Sequence, residues 1–472
     1  MTRRFRHLLP LFLSLFLFAC SSTSQVDEKL KDLPLPQNWQ DSKQALSVEH
    51  NWLSELDNPQ VHLLVKKALA ANHQFAMQAY SLEIAEQQLI VSGSQLWPEL
   101  DLAFSSSRNK SNQGDSDSNS YSNGNSVNLN LSYEVDIWGK LSDADRMSNY
   151  NYLAQKATFE QYKQQLVVNV LITWFRVIEA EKLLTLYRSR VENSQQNLAI
   201  IEAGYNSGLT AALDVYLTRN DLNNELTRVS EQETEKTKLI RQLERLIGEY
   251  PKGELLVNAD LPLLTNDIPV GLPSELISRK PELKASWYQL LSQDSNLAYA
   301  HKQRFPSIVL SGSIGDSTAD IGDLLSGSSL AWSLLGSISA PIFNAGRLKA
   351  NEEKARIELK QGEQLYLDTL YDAFSDVENT ITTEKNLKNS YYTMLAAQEN
   401  AKIAATLSFE QYQSGLVTYT TVLDAQKRSF EAQTTLIKIK NQLITNRINL
   451  HLSLGGDFTT PSIAPSPTPK AK

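Results

Sequence analysis

Hydrophobic and polar positions along this chain follow two periods in turn. From about Asn58 to Gln95 the apolar residues recur at helical spacing, which predicts a long amphipathic helix. It stops before Pro98, because proline disfavours helix in the residue that precedes it. The period then falls to two, with Leu100, Leu102 and Phe104 alternating with Asp101, Ala103 and Ser105. A Ser/Asn/Gly/Asp tract from Ser105 to Ser126 is too polar to pack and reads as an exposed loop. The return strand is sharper. Val127, Leu129, Leu131, Tyr133, Val135 and Ile137 share one face, and Asn128, Asn130, Ser132, Glu134 and Asp136 share the other. A helix of unusual length follows, from about Leu141 to Gly204, which at 1.5 Å per residue spans roughly 95 Å. The chain turns at Gly208-Leu209, and a partner helix returns over about Ala212 to Ile247, with Leu222, Val229 and Leu243 on one stripe.

The whole arrangement recurs about 207 residues later, in register, as a duplicated supersecondary module. Gly139 matches Gly346, Tyr205-x-Ser207-Gly208-Leu209 matches Tyr412-x-Ser414-Gly415-Leu416, Leu243 matches Leu450, and Gly248 matches Gly455. Trp97-Pro98 and Phe305-Pro306 match with a slip of a single residue. The second copy predicts a helix over about Ser274 to Gln303, then a strand with Ile308, Leu310 and Ile314 on one face. A Gly/Ser/Asp loop from about Gly315 to Ser329 leads to a return strand carrying Leu330, Trp332, Leu334, Ile338 and Ile342. Ser333, Ser337 and Ser339 oppose them, although Leu335 and Phe343 blur the alternation. A second long helix is expected from about Leu348 to Gln411. Its partner runs from about Thr420 to Leu454, with Leu423, Phe430, Ile437 and Ile444 on one stripe.

Towards the far end of each long helix the spacing becomes that of a coiled coil. Leu184, Tyr187, Val191, Ser194, Leu198, Ile201 and Tyr205 alternate between steps of three and four. The corresponding positions are Tyr391, Met394, Gln398, Ala401, Ala405, Ser408 and Tyr412. Such a seam winds helices left-handedly around one another.

The ends of the chain add a location. Arg3, Arg4 and Arg6 precede an apolar core, Leu8 to Phe18, too short to span a bilayer, so residues 1–19 read as an export signal. The signal closes on Leu17-Phe18-Ala19-Cys20, which has the shape of a lipobox, and Cys20 is the only cysteine. A lone thiol is otherwise a small buried hydrophobe; its position here makes it a lipidation site, with a covalent lipid as membrane anchor. The Ser21 that follows it favours the outer membrane, by resemblance to bacterial lipoproteins generally. Removing the signal takes the formal charge from −8 to −11, and an acidic chain without basic clusters excludes nucleic acid as a partner. Residues 20–57 then form an anchored linker, 58–248 the first repeat, 249–272 a Pro/Gly/Asn-rich connector, 273–455 the second repeat, and 456–472 a proline-rich disordered tail.

Alternating strands fit either a half-buried soluble sandwich or a membrane strand with its apolar row in lipid and its polar row facing water. The upstream lipobox and the placement of Trp138, where an interfacial aromatic belt is expected, favour the membrane. Four strands cannot close a barrel, and an open edge in lipid leaves backbone groups unsatisfied. The fold class expected is therefore an α+β membrane protein. Its four strands per chain join those of two further copies in a trimeric 12-stranded outer-membrane β-barrel, continued by a long periplasmic α-helical coiled-coil tunnel.

Several stretches carry a resemblance to the TolC-like outer-membrane efflux proteins, in their lipidated branch serving RND-type pumps. They are Leu17 to Cys20, Trp52 to Asn72, Asp136-Ile137-Trp138-Gly139-Lys140, Arg279-Lys280-Pro281-Glu282-Leu283 with Phe305-Pro306, Tyr205 to Asp214, and the run from Tyr412 to Lys427. The resemblance implies a homotrimeric channel in outer-membrane lipid, a periplasmic adaptor, and an inner-membrane RND-type transporter as partners. It also implies that Asp214 and Asp424, just past the turns, face the lumen as a cation-favouring gate; the plainer reading is a carboxylate near a helix N-terminus. Lys427 and Arg428 are candidates for pairing with an acid across the gate, or are ordinary solvated charges. Family members place Arg at the Lys427 position, and Lys cannot form a bidentate lock there. Gly208 and Gly415 permit the reversals, and Leu209 and Leu416 are candidate docking knobs for the adaptor.

Chemistry is otherwise sparse. The six His have no metal-ligand spacing, and no phosphate loop, nucleophile elbow or isolated carboxylate pair is present, so no catalytic residue, metal or cofactor is expected beyond the lipid on Cys20. The leading function is a passive duct for small toxic compounds or drugs. A duct for type I protein secretion is the rival within the same fold, and a non-conducting periplasmic coiled-coil scaffold lipoprotein the rival outside it.

Overall fold

The computed structural model of the 472-residue chain describes residues 36, 39–40, 58–112, 119–257, 259–264, 270, 273–327 and 329–456. The signal, Cys20, nearly all of the linker to residue 57, and the tail from residue 457 lie outside the described residues. The chain divides into two units, one built on Ser81–Lys156 and Ala285–Asp368, the other on Leu35–Tyr80, Ala157–Lys284 and Thr369–Lys472.

The described elements run α1 (Pro59–Ala71), α2 (His73–Ser94), β1 (Glu99–Asn112), β2 (Asn119–Glu134), α3 (Lys140–Asn206), α4 (Ala212–Leu246), α5 (Pro273–Arg279), α6 (Pro281–Lys302), β3 (Ser307–Thr318), β4 (Ala331–Ser339), α7 (Arg347–Gln413) and α8 (Tyr419–Ser453). The duplication is metrically faithful: α3 and α7 each have 67 residues, and α4 and α8 each have 35.

Two predicted helices are in fact pairs. The first breaks at Asn72, whose side chain accepts from Phe75 N at 2.9 Å while its own N–H bonds Ala68 O at 2.9 Å. One residue thereby ends α1 and caps α2. The second breaks at Lys280 because Pro281 has no N–H to continue the ladder but suits the first position of a new helix.

In the strand-bearing unit the four strands form one antiparallel sheet in the order β1-β2-β3-β4. Its registers join the two copies: Leu100 pairs Leu131, Leu131 pairs Gly312 and Gly312 pairs Leu334, while Leu102, Leu129, Ile314 and Trp332 line up in the next row. One face is therefore continuously apolar. The opposite face carries Ser132, Asn130, Ser311, Ser313 and Ser333, with the Ser313 and Ser333 hydroxyls 2.8 Å apart.

The polar tract predicted as loop is mostly strand. Pairing continues from Ser105–Ser126 out to Asn112–Asn119, and residues 113–118 lie outside the described residues. Backbone ladders need no apolar side chains, and cross-strand bonds such as Ser106 Oγ to Asn125 Oδ1 at 2.7 Å supply lateral support. β2 stops at Glu134, short of Ile137, because Asp136 turns to cap α3 through Leu141 N at 2.9 Å and Ser142 N at 2.8 Å. Trp138 is held by residues of the second copy. It is half-buried, donates to Pro306 O at 2.7 Å and packs on Phe305 at 5.4 Å.

The other unit holds the main apolar core. Val61, Leu64, Val65 and Ala68 of α1 pack with Val167, Val170, Leu171, Trp174 and Ile178 of α3, and with Ile240 and Leu243 of α4 and Ile444 and Ile448 of α8. These positions fall at helical spacing, and each large side chain so buried contributes about 1.5–3 kcal/mol. Among the described residues no helix is long and apolar enough to cross a membrane.

Candidate functional site at the helical tips

Each long helix ends in the same backbone device. Gly208 and Gly415 both have φ +71°, a left-handed conformation that penalises any residue with a Cβ. Gly208 N bonds Tyr205 O at 3.0 Å and Leu209 N bonds Gly204 O at 2.8 Å. The second copy repeats this, Gly415 N to Tyr412 O and Leu416 N to Gln411 O both at 2.9 Å. These paired bonds satisfy the last helical carbonyls and swing the next residue outward. Leu209 is accordingly 83% exposed and Leu416 74% exposed, far more than isolated packing would leave a leucine.

Behind the tips the two helical hairpins share a small core of Ile201, Val215, Tyr419 and Val422, with Phe409, Tyr412 and Leu423 against it. Asp214 sits beside it in the first turn of α4, where a carboxylate also favours the helix dipole. Burial first, and then the Asp214 charge, raises the pKa of the Tyr412 hydroxyl. Asp214 acts through proximity, for the buried Tyr412 hydroxyl has no hydrogen bond of ordinary geometry among the described residues.

Asp424 is placed differently. It lies beyond the first turn of α8, so the helix-terminus reading does not extend to it. Its carboxylate accepts from Arg428 Nε at 2.8 Å within the same helix, with both side chains well exposed. That contact raises the Arg428 pKa. Lys427 instead reaches Glu431 at 4.0 Å. The four charged candidates thus do not meet as one cluster in a single protomer; Asp424 and Arg428 do pair.

The coiled-coil seam holds at all seven positions of α7, which are buried or half-buried from Tyr391 to Tyr412. In α3 it widens. Leu184, Ser194 and Ile201 are buried as the spacing predicts, but Tyr205 is 49% exposed, and Arg190 and Asn197 are buried in addition. Arg190 donates to Glu225 of α4 at 2.7 Å and lies 4.3 Å over the Phe430 ring of α8. Asn197 donates to Gln426 of α8 at 3.2 Å, and Ser194 to Asp221 of α4 at 2.8 Å. Burial raises the Glu225 carboxyl and lowers the Arg190 guanidinium, each opposed by the other's charge. This polar layer escaped the sequence reading because a charged residue between apolar steps looks like a solvated one.

A family model described as outer membrane efflux protein matches the chain twice, over residues 64–249 and 272–456, in step with the duplication. Among curated proteins, the chain is 27% identical to "Probable outer membrane lipoprotein SilC" of Salmonella typhimurium, covering 90% of this chain and 93% of that one. It is 28% identical to "Cation efflux system protein CusC" of Escherichia coli O6:H1, covering 96% and 98%. Among solved structures, the CmeC outer membrane channel of Campylobacter jejuni superposes with a TM-score of 0.83 at 23% identity, covering 88% of this chain and 89% of that one.

Proposed function

The chain belongs to the outer membrane efflux protein family, and from that premise we propose that it is a passive exit duct for small toxic compounds, driven by a pump in the inner membrane. It is an outer-membrane efflux channel and not an enzyme, and it works without a cofactor. Its fold is that of a trimeric channel, four strands per chain contributing to a 12-stranded β-barrel and the long helices to a tunnel.

The observation that carries the proposal is the unfinished sheet. β1 and β4 are both edge strands beside a continuous apolar face, an arrangement that lipid tolerates only when further copies close the sheet. A polar interior with many serines and asparagines binds nothing tightly, which suits a conduit. SilC and CusC carry names for a lipoprotein and a cation efflux system, and other relatives are named for solvent and toluene efflux. These names support small cargo over secreted polypeptides. We assign the partners as a periplasmic adaptor docking at Leu209 and Leu416 and an RND-type inner-membrane transporter. Cys20 carries the lipid anchor, and Asp424 and Asp214 form the gate.

Two measurements test this. A deletion strain exposed to solvents, metal salts and antibiotics is expected to become susceptible to at least one small-compound class. Purified protein is expected to migrate as a heat-modifiable trimer and to conduct in planar bilayers. A soluble monomer without conductance would overturn the duct, and unchanged susceptibility with lost polypeptide secretion would transfer the role to protein export.

A further inference from the structure

The four strands carry only two cations, Arg108 and Lys110, and both stand on the lipid side of the sheet. Their even-numbered positions continue the row of Leu100, Leu102 and Phe104, whereas the strand acids Glu99, Asp101 and Glu134 lie on the opposite face. The one strand acid on this face, Asp316, stands in the Phe104 row, buried and accepting from Leu325 N at 2.9 Å. Arg108 pairs across the hairpin with Asn123, and Lys110 with Tyr121. The Arg108 guanidinium lies 5.1 Å and the Lys110 ammonium 5.8 Å from the centre of the exposed Tyr121 ring. Neither has an ion-pair partner among the described residues. Most basic residues elsewhere in this unit are paired, as Lys302 is with Asp143 and Arg304 with Glu352.

Their height matters as much as their face. The apolar row of β1 ends at Phe104, and Ser106 bonded to Asn125 forms a polar step above it. Arg108 lies four residues past Phe104, about 13 Å along the strand and about 10 Å along the membrane normal at a tilt near 40°. That is the headgroup layer beyond the hydrocarbon. Both strands meet helices at their other ends, α2 before Glu99 and α3 after Glu134, so this end of the hairpin is the one remote from those junctions.

We propose that Arg108, Lys110 and Tyr121 form a binding site for the phosphate of an anionic lipid headgroup in the outward-facing leaflet. This rests on the outer-membrane barrel reading. An aromatic ring within 6 Å of both cations gathers two positive charges into one small patch, and pairing with an anion relieves their mutual repulsion. Each cation near an anionic surface contributes about five-fold to binding, so removing both is expected to weaken it about thirty-fold.

The test uses the full-length trimer in neutral detergent, titrated with bisphosphorylated lipid A and with its dephosphorylated form, the bound lipid counted by native mass spectrometry. Wild-type protein is expected to retain the phosphorylated lipid preferentially, R108Q/K110Q to lose it about thirty-fold, and R108K/K110R to keep it. Equal retention of the dephosphorylated lipid, or wild-type retention by R108Q/K110Q, would overturn the site. Loss of the lipid to millimolar inorganic phosphate would reassign it to a free anion and equally overturn a lipid site. Trimer migration and bilayer conductance of the same samples report separately on the channel, so failure of the barrel reading is distinguishable from failure of this site.

Discussion

Replacing Arg190 with Ala is expected to disturb the helical hairpins more than any other single change near the tips. Its side chain and that of Glu225 are each 5% exposed and joined at 2.7 Å. Removing one member of such a pair strands the other, at a cost of about 3–5 kcal/mol. Glu225 would keep only the longer contact to the half-exposed Arg228 at 3.6 Å, so its main escape is to take up a proton, and burial already raises its pKa. Holding a carboxyl neutral at pH 7 costs about 1.4 kcal/mol for each unit above its solution pKa, hence about 3.7 kcal/mol, but only about 1 kcal/mol at pH 5. Loss of the cation from over Phe430 adds about 2 kcal/mol at either pH. Arg190→Ala should therefore cost at most about 5–6 kcal/mol at pH 7 and at most about 3 kcal/mol at pH 5, the Arg228 contact lowering both, whereas R190M/E225L should cost only the ring contact, about 2 kcal/mol. Native-state hydrogen exchange in peptides containing Arg190, Glu225 and Phe430 reads this locally, which suits an assembled trimer that does not unfold in two states. Equal loss of protection in the single and double variants, or a penalty independent of pH, would refute the reasoning.

Three further outcomes are expected. Burial first, then the Arg447 charge, pushes the His451 pKa down to about 3 from 6.5. Only the unfolded chain then takes up a proton between those values, so stability is complete above about pH 6.5 and falls towards pH 3 by up to about 1.4 kcal/mol per unit. His451→Gln should flatten that slope, and an unaltered slope counts against it. Arg428→Ala removes the cation that offsets Asp424 and should increase cation preference in bilayer recordings, while Asp424→Ala should decrease it; unchanged reversal potentials in both would end the gate assignment. Leu209→Asp and Leu416→Asp should abolish adaptor crosslinking with the trimer intact, and normal crosslinking and efflux would remove their docking role.

Long periodic segments were legible almost to the residue: the helix expected over about 141–204 spans Lys140–Asn206 and its repeat spans Arg347–Gln413. Interruptions were less so. Asn72 divides a helix with its own side chain, and nothing in its neighbours' hydropathy announces that. The Ser/Asn tract beyond Ser105 was misread because composition describes side chains, whereas a ladder is made by backbone groups. At the tips, Gly208, Leu209, Gly415 and Leu416 were found from the repeat alone, and their identical φ angles follow from the same Tyr-x-Ser-Gly-Leu spelling.

Local periodicity by itself determined where the long helices and the apolar stretches of strand lie and which face of each is apolar, since these depend on neighbours within one or two turns, and comparison of the two halves showed that the unit occurs twice. Partnership was decided only in three dimensions. Leu129 beside Ile314, Arg190 between Glu225 and Phe430, and Asp424 held by Arg428 rather than Lys427 are choices among many chemically similar residues. Polar and charged contacts depend steeply on distance and burial, and both are set by how remote segments pack, so the pattern along the chain cannot distinguish a buried guanidinium from a solvated one.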